Sequence, residues 1–366
     1  KGTKCLKYDF AVKRGYPEDV LPLWVADMDF RTSSYVEDAL VQLAHHNIYG
    51  YTNTQDGDGF FEAVAGWMKR HHDWEVWPEW HVKTPGVCVA IANAIRAVTE
   101  PGDAVLINQP VYYPFSSTIV QNDRKRVSSD LVCDEEDRYS IDFQDFEQKI
   151  VENQVKLFIL CNPHNPVGRV WTREELLRLG DICEKYGVIV VSDEIHADFV
   201  FEGSHQVLVG LKESYRKFVV TCTAPSKTFN LAGLQVSNIF IPDDALRRKF
   251  EQAVAASGYS QLNTMGLVAL AAFSIENHLT LLHSYKLVDT AISSISEGIV
   301  VVDHELCIQR INRGGEQILC SNKEKLLGRS ISTWFGARYE ELQSRLQKEM
   351  NPFSFAEEEL LVEGHH

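Results

Sequence analysis

The sequence has 366 residues, 45% of them hydrophobic and 24% charged, which excludes a disordered chain and leaves room for two or three domains. A net charge of −15 excludes a general nucleic-acid binder, which would carry a basic footprint. No apolar run approaches the ~20 residues of a membrane span.

In chain order, the stretch from about Val82 to Phe240 alternates short apolar runs with helical segments. Gly86, Val87 and Cys88 open a helix that runs through Ala97. Ala104-Val105-Leu106-Ile107 follows Pro101-Gly102-Asp103 and reads as a strand. Val155 to Leu160 is a second strand, followed by an Asn/Pro-rich loop. Thr172 is placed to cap a helix that runs to about Tyr186, with Glu175 in capping-box position and Gly187 as the stop. Val188 to Val191 and Phe218 to Thr221 are two more strands. Short apolar strands separated by capped helices predict an α/β fold with a mostly parallel sheet covered on both faces.

The pattern changes near Phe273. Leu279, Leu282, Val288, Ala291, Ile292 and Ile295 recur at helical spacing over 275–295. Gly298 to Asp303 and Leu306 to Ile311 read as two strands joined by a turn at His304-Glu305. Asn312 can cap a helix through about Cys320, Leu326-Leu327-Gly328 closes another short helix, and Phe355 to Val362 reads as a further strand. The expected division is therefore residues 1–273, a large α/β domain, and 274–366, a small α+β domain with a leading amphipathic helix.

Eight cysteines include no C-x-x-C pair, so no metal site is expected. Most sit in apolar stretches and read as buried free thiols of a cytoplasmic protein. Lys1-Gly2-Thr3-Lys4-Cys5 has no apolar stretch behind it, and no signal peptide is expected. His365-His366, after Gly364, reads as part of a purification tag.

In parallel sheets, active groups gather at the carboxyl ends of strands. Tyr112 follows the strand ending at Ile107, and Asn165 the strand ending at Leu160. Asp193 follows the strand ending at Val191, and Lys227 the strand ending near Thr221. An aromatic, an amide, a carboxylate and a lysine are the groups needed to hold pyridoxal phosphate. The lysine bonds the cofactor and moves protons, and the carboxylate keeps the pyridinium nitrogen charged.

Five strings carry a family resemblance: Leu23-Trp24-Val25-Ala26-Asp27-Met28-Asp29-Phe30, Tyr49-Gly50-Tyr51-Thr52, Asn162 to Gly168, Ser192 to His196, and Ser226 to Gly233. In that order they resemble the large domain of fold-type I pyridoxal-phosphate enzymes, and within them the MalY/PatB-type cystathionine β-lyases, over residues ~4–273. The resemblance implies Lys227 as the Schiff-base lysine, Asp193 as the pyridinium partner, Asn165 on the ring oxygen and Tyr112 as the stacking aromatic. It implies Ser226 and the backbone at Gly86, Val87 and Cys88 as phosphate ligands, since a helix N-terminus suits a phosphate. Tyr51 matches a tyrosine lent to the phosphate across a homodimer interface, and His196 is placed to tune the ring oxygen or to pack.

Two departures from the aminotransferase pattern, Gln235 eight residues after the lysine and His196 three after the aspartate, resemble the C–S lyase subgroup. The implied reaction is α,β-elimination from a small amino-acid thioether, giving a thiol, pyruvate and ammonia. The family's small domain, with its carboxylate-clamping arginine, is not recognisable, and Arg310-Ile311-Asn312 mimics its string in other surroundings. Impaired activity is therefore expected. Residues ~287–335 resemble the first part of a PAS sensor domain. An aminotransferase, a non-enzymatic regulatory protein with a PAS module, and a chain joining pieces of two unrelated proteins remain as alternatives.

Overall fold

The computed structural model describes residues 2, 4–52, 59–259 and 261–272, and then 300–302, 307–311, 316 and 323–330. The chain divides into two compact units, Lys1–Glu276 and Asn277–His366. In the first unit, α1 (Ser34–His46) and α2 (Phe60–His72) precede β1 (His81–Thr84) and α3 (Val87–Val98). Then come β2 (Ala104–Ile107), α4 (Tyr113–Gln121), β3 (Lys125–Ser128), a small pair β4 (Val132–Cys133) and β5 (Tyr139–Ser140), and α5 (Phe143–Asn153). They are followed by β6 (Leu157–Cys161), α6 (Arg173–Tyr186), β7 (Ile189–Asp193), β8 (Val219–Thr223), α7 (Pro225–Thr228), β9 (Ser237–Phe240) and α8 (Asp244–Ala256). A further helix, α9, covers 264–272.

Among the described residues, seven strands form one sheet in the order β1-β9-β8-β7-β6-β2-β3. The β3–β2–β6–β7–β8 run is parallel throughout, and β9 lies antiparallel between β8 and β1. The mostly parallel sheet expected from the apolar runs is what forms. Its strands are buried on both faces, and successive side chains alternate between two cores. In β6, Phe158 and Leu160 join the core shared with α2, α5 and α6. Leu157, Ile159 and Cys161 join the core shared with α3, α4 and α8.

Helix α6 shows how closely local rules operate here. Thr172 Oγ1 accepts from Glu175 N at 3.2 Å, and the Glu175 carboxylate accepts from Thr172 N at 2.8 Å. Gly187 ends the helix at φ 67°, the left-handed conformation that favours glycine. Three strands run past the carboxyl ends of their apolar runs: β6 to Cys161, β7 to Asp193 and β8 to Thr223. β7 continues through Ser192 and Asp193 because the ladder to β6 and β8 continues there. Hydrogen bonding, rather than hydropathy, sets that end.

In the second unit, β10 (Val300–Val302) pairs antiparallel with β11 (Ile308–Ile311). A short helix covers Lys323–Leu326. Ile308 N donates to Arg329 O, and Gly328 N to Ile308 O. Ile308, Ile311 and Leu326 are buried. The helix expected over 275–295, most of the one beginning at Asn312, the strand at Phe355 to Val362, and His365-His366 lie outside the described residues.

Three of the seven described cysteines are buried: Cys161, Cys183 and Cys222. Cys88 and Cys133 are exposed instead, the first at a helix start and the second in the β4–β5 pair. An apolar neighbourhood in sequence did not suffice to bury them.

Gly180 on α6 faces Tyr215, whose hydroxyl donates toward Leu177 O and Asp181. A Cβ at Gly180 would stand 2.4 Å from Tyr215 Cζ. Gly180→Ala is therefore expected to destabilise the first unit by about 1–3 kcal/mol through overpacking. Urea unfolding of the variant beside the wild type measures it.

Candidate active site

The strands β2, β6, β7 and β8 are adjacent and parallel. Their carboxyl ends therefore bring the loops carrying Tyr112, Asn165, Asp193 and Lys227 to one edge of the sheet. Tyr112 N donates to Asn165 O at 2.9 Å, which stitches the first two loops together. Asn165 N points at Cys161 Sγ, 3.3 Å away.

Asp193 ends β7 and is only 5% exposed. Its register partners are Cys161 on β6 and Cys222 on β8. Register partners share a face of the sheet, so the carboxyl stands between two buried thiols. Its Oδ1 accepts from Ile195 N at 3.2 Å. Burial pushes the carboxyl up to about 7. The Ile195 hydrogen bond opposes that rise, Glu194 adds to it, and the Lys227 amine pulls the other way.

Helix α3 starts at the same edge. Gly86 is its N-cap and supplies no side-chain cap, so the first amides keep their donors free of side-chain acceptors. A Cβ at Gly86 would meet open space. Thr84 Oγ1 donates to Gly86 O at 3.2 Å and is bonded to Ser237 Oγ at 2.7 Å. Burial pushes the Tyr112 phenol up to about 12, and the Cys88 thiol adds to that.

Lys227 sits in the single turn of α7 after β8, with Ser226 before it, both half-buried. Its Nζ donates to Ala26 O at 3.2 Å. That carbonyl follows Val25, which lies at φ 61°, a costly conformation for a β-branched residue. The Asn230 side chain accepts from Met28 N at 3.2 Å and donates toward Met28 O and Phe30 O. Thr32 Oγ1 donates to Phe229 O at 3.1 Å. The 26–32 segment is thereby fastened to the lysine loop. His196 is half-buried near Lys227, and burial, then the lysine's charge, holds its imidazole below the ordinary value. Tyr51 stands apart from this cluster and is 96% exposed.

Sequence reasoning missed Asp198, five residues after Asp193. Trp67 Nε1 donates to its Oδ1 at 3.1 Å, His72 Nε2 lies 2.9 Å from the same oxygen, and Thr228 Oγ1 donates to Oδ2 at 2.5 Å. It also missed Ala26 and the flanking thiols. The sequence signal for Asp198 was a third carboxylate, after Asp193 and Glu194, just past a string already marked as chemical. Among the described residues, no group of three or more His, Cys, Asp or Glu could hold a metal ion, and no helix is long and apolar enough to cross a membrane.

The family model for aminotransferase class I and II matches residues 18–293. The cystathionine β-lyase PatB of Bacillus subtilis (strain 168) is 44% identical over 272 residues, 74% of this chain and 70% of that protein. Protein MalY of Escherichia coli (strain K12) is 31% identical over 271 residues, 74% of this chain and 68% of that protein. Cystalysin from Treponema denticola, solved with a pyridoxal 5′-phosphate cofactor, superposes with a TM-score of 0.71 at 35% identity. That match covers 79% of this chain and 74% of cystalysin. The chain belongs to the class I and II aminotransferase family.

The raised carboxyl of Asp193 has a consequence for stability. A carboxyl whose folded value lies above its unfolded value, about 3.9, stabilises the fold only while protonated. Its contribution is fully present below about pH 4 and is lost as pH rises through about 7. In cofactor-free protein, Asp193→Asn is expected to be more stable than wild type at pH 8, by on the order of 2–4 kcal/mol. The two should converge near pH 4, which denaturant unfolding at both pH values tests.

Proposed function

We propose that this chain is a pyridoxal-phosphate-dependent carbon–sulfur β-lyase. The reading takes its substrate class, amino-acid thioethers, from the cystathionine β-lyases it is similar to. Gln235 and His196, which depart from the aminotransferase pattern, favour elimination over amino transfer. The observation that carries the reading is Asp193: a buried carboxyl one strand from Lys227, placed between two neutral thiols.

The residues fit the cofactor. The free amides of α3 beyond Gly86, with open space where a Cβ would stand, suit its phosphate. Ser226 and, from a second copy of the chain, Tyr51 complete that end. Tyr51's full exposure in one chain supports such a homodimer. Asp193 would hold the ring nitrogen in its charged form, Tyr112 would cover the ring face, and Asn165 and His196 would stand at the ring oxygen. Among the described residues, the Asn165 side-chain amide has no hydrogen-bond partner, so it is available for that role.

Bound there, pyridoxal phosphate supplies an electron sink for the charge left at the substrate's α-carbon. Lys227 does the protein's part. Its amine would hold the cofactor covalently and would take the proton from the substrate's α-carbon. A positioned base is worth ~10²–10⁴-fold in rate. The β-thiol leaves with its electron pair and a proton. Water then completes the balance, giving pyruvate and ammonia.

The domain division proposed is 1–273 for this unit and 274–366 for a PAS-like module. The antiparallel pair β10–β11 and the short helix after it support the second.

Purified with pyridoxal phosphate, the protein is expected to show a visible absorbance band that borohydride alters. The band and pyruvate release from cystathionine should both vanish in Lys227→Ala. Amino transfer to a keto acid without pyruvate release would instead make it an aminotransferase.

A further inference from the structure

Asp198 is not one of the groups assigned to the cofactor, yet it joins three elements that must agree for the site to work. It lies in the loop after β7, five residues beyond Asp193. Through Oδ2 it accepts from Thr228 Oγ1 at 2.5 Å, and Thr228 directly follows Lys227. Through Oδ1 it meets Trp67 Nε1 at 3.1 Å and His72 Nε2 at 2.9 Å, both on α2. The next residue of the lysine loop, Phe229, packs edge-on against Trp67 with ring centroids 5.0 Å apart. Burial works against a charged carboxyl here, but the hydrogen bonds from His72 and Thr228 outweigh it and hold Asp198 ionised, below its usual value.

We propose that Asp198 is a positioning residue that sets the Lys227 amine in register with Asp193, acting through the Thr228 hydroxyl. The geometry is specific to that task. Lys227 and Asp193 sit on different loops, and the backbone tie past the end of β7, Glu194 N to Cys222 O at 2.8 Å, reaches strand β8 and not the lysine loop. The Asp198 carboxylate spans the gap between them. Its braces on α2 keep it from following Thr228 if the lysine loop shifts. A hydrogen bond to a charged group that braces one loop, when lost, allows a shift of the order that costs ~10- to 100-fold.

The proposal rests on the reading of Lys227 as the cofactor-bonding lysine, and its test separates the two. The readouts are the pH midpoint of the visible band of lysine-linked cofactor, the cofactor dissociation constant, and kcat against KM. Asp198→Ala and Thr228→Val should each move the pH midpoint, weaken cofactor binding roughly 10-fold, and lower kcat more than they raise KM. Asp198→Asn, which keeps an acceptor oxygen and the side-chain shape, should fall between wild type and Asp198→Ala. The double variant of Asp198→Ala and Thr228→Val should be no worse than the more affected single variant, since both break one link. If Asp198→Ala does not fold, Thr228→Val alone decides, because it removes only a hydroxyl.

A merely structural Asp198 would lower the melting temperature and leave the pH midpoint and dissociation constant at wild-type values in both variants. That result overturns the proposal while the lysine reading stands. A wild-type protein with no band dependent on Lys227 overturns both.

Discussion

A parallel ladder, buried on both faces, is the constraint from which the rest of this unit follows. Because β2, β6, β7 and β8 run the same way and lie side by side, every loop at their carboxyl ends emerges on one edge. Four chemically distinct side chains, from segments 115 residues apart in sequence at their extremes (Tyr112 to Lys227), thus become neighbours without any bond among them. The strands' apolar residues serve two cores in alternation, so a register slip of one residue would exchange the faces and turn Asp193 away from α3.

The same ladder creates the site's electrostatics. A carboxylate in water would remain ionised through neutral pH. Asp193 is set between Cys161 and Cys222, groups that burial keeps neutral, and few protein donors reach it. Its charge is therefore costly, and the Lys227 amine offsets only part of that cost. On the proposed reading a protonated ring nitrogen would be a second cation, and the cost of burying Asp193 would then become selectivity for a cofactor able to relieve it.

Around this centre, the structure fixes the lysine loop from two sides. The N-terminal segment reaches it through Asn230 and Thr32, and α2 reaches it through Asp198. Both ties cross long stretches of sequence. Asn230 and Met28 are 202 residues apart, and Trp67 and Asp198 are 131. A one-turn helix such as α7 has little stability of its own, so these ties, rather than local propensity, hold Lys227 in place.

Much of this was legible from the sequence because local physics decided it. Apolar runs marked the strands, Thr172 and Glu175 marked the start of α6, Gly187 marked its end, and the residues after each strand marked the chemistry. Strand ends were less legible: β7 runs on through polar Ser192 and Asp193 because its neighbours continue the ladder. The burial of cysteines was misjudged at Cys88 and Cys133, since exposure depends on which surface a turn or helix start meets. By itself, the sequence determined the mostly parallel α/β class, the family and the identity of the groups at the strand ends, since each is written in contiguous residues. The strand order, the thiols on either side of Asp193, the Ala26 carbonyl at Lys227 and the Asp198 brace were decided only by the tertiary structure. Each depends on contacts between distant segments, for which a linear pattern carries no signal.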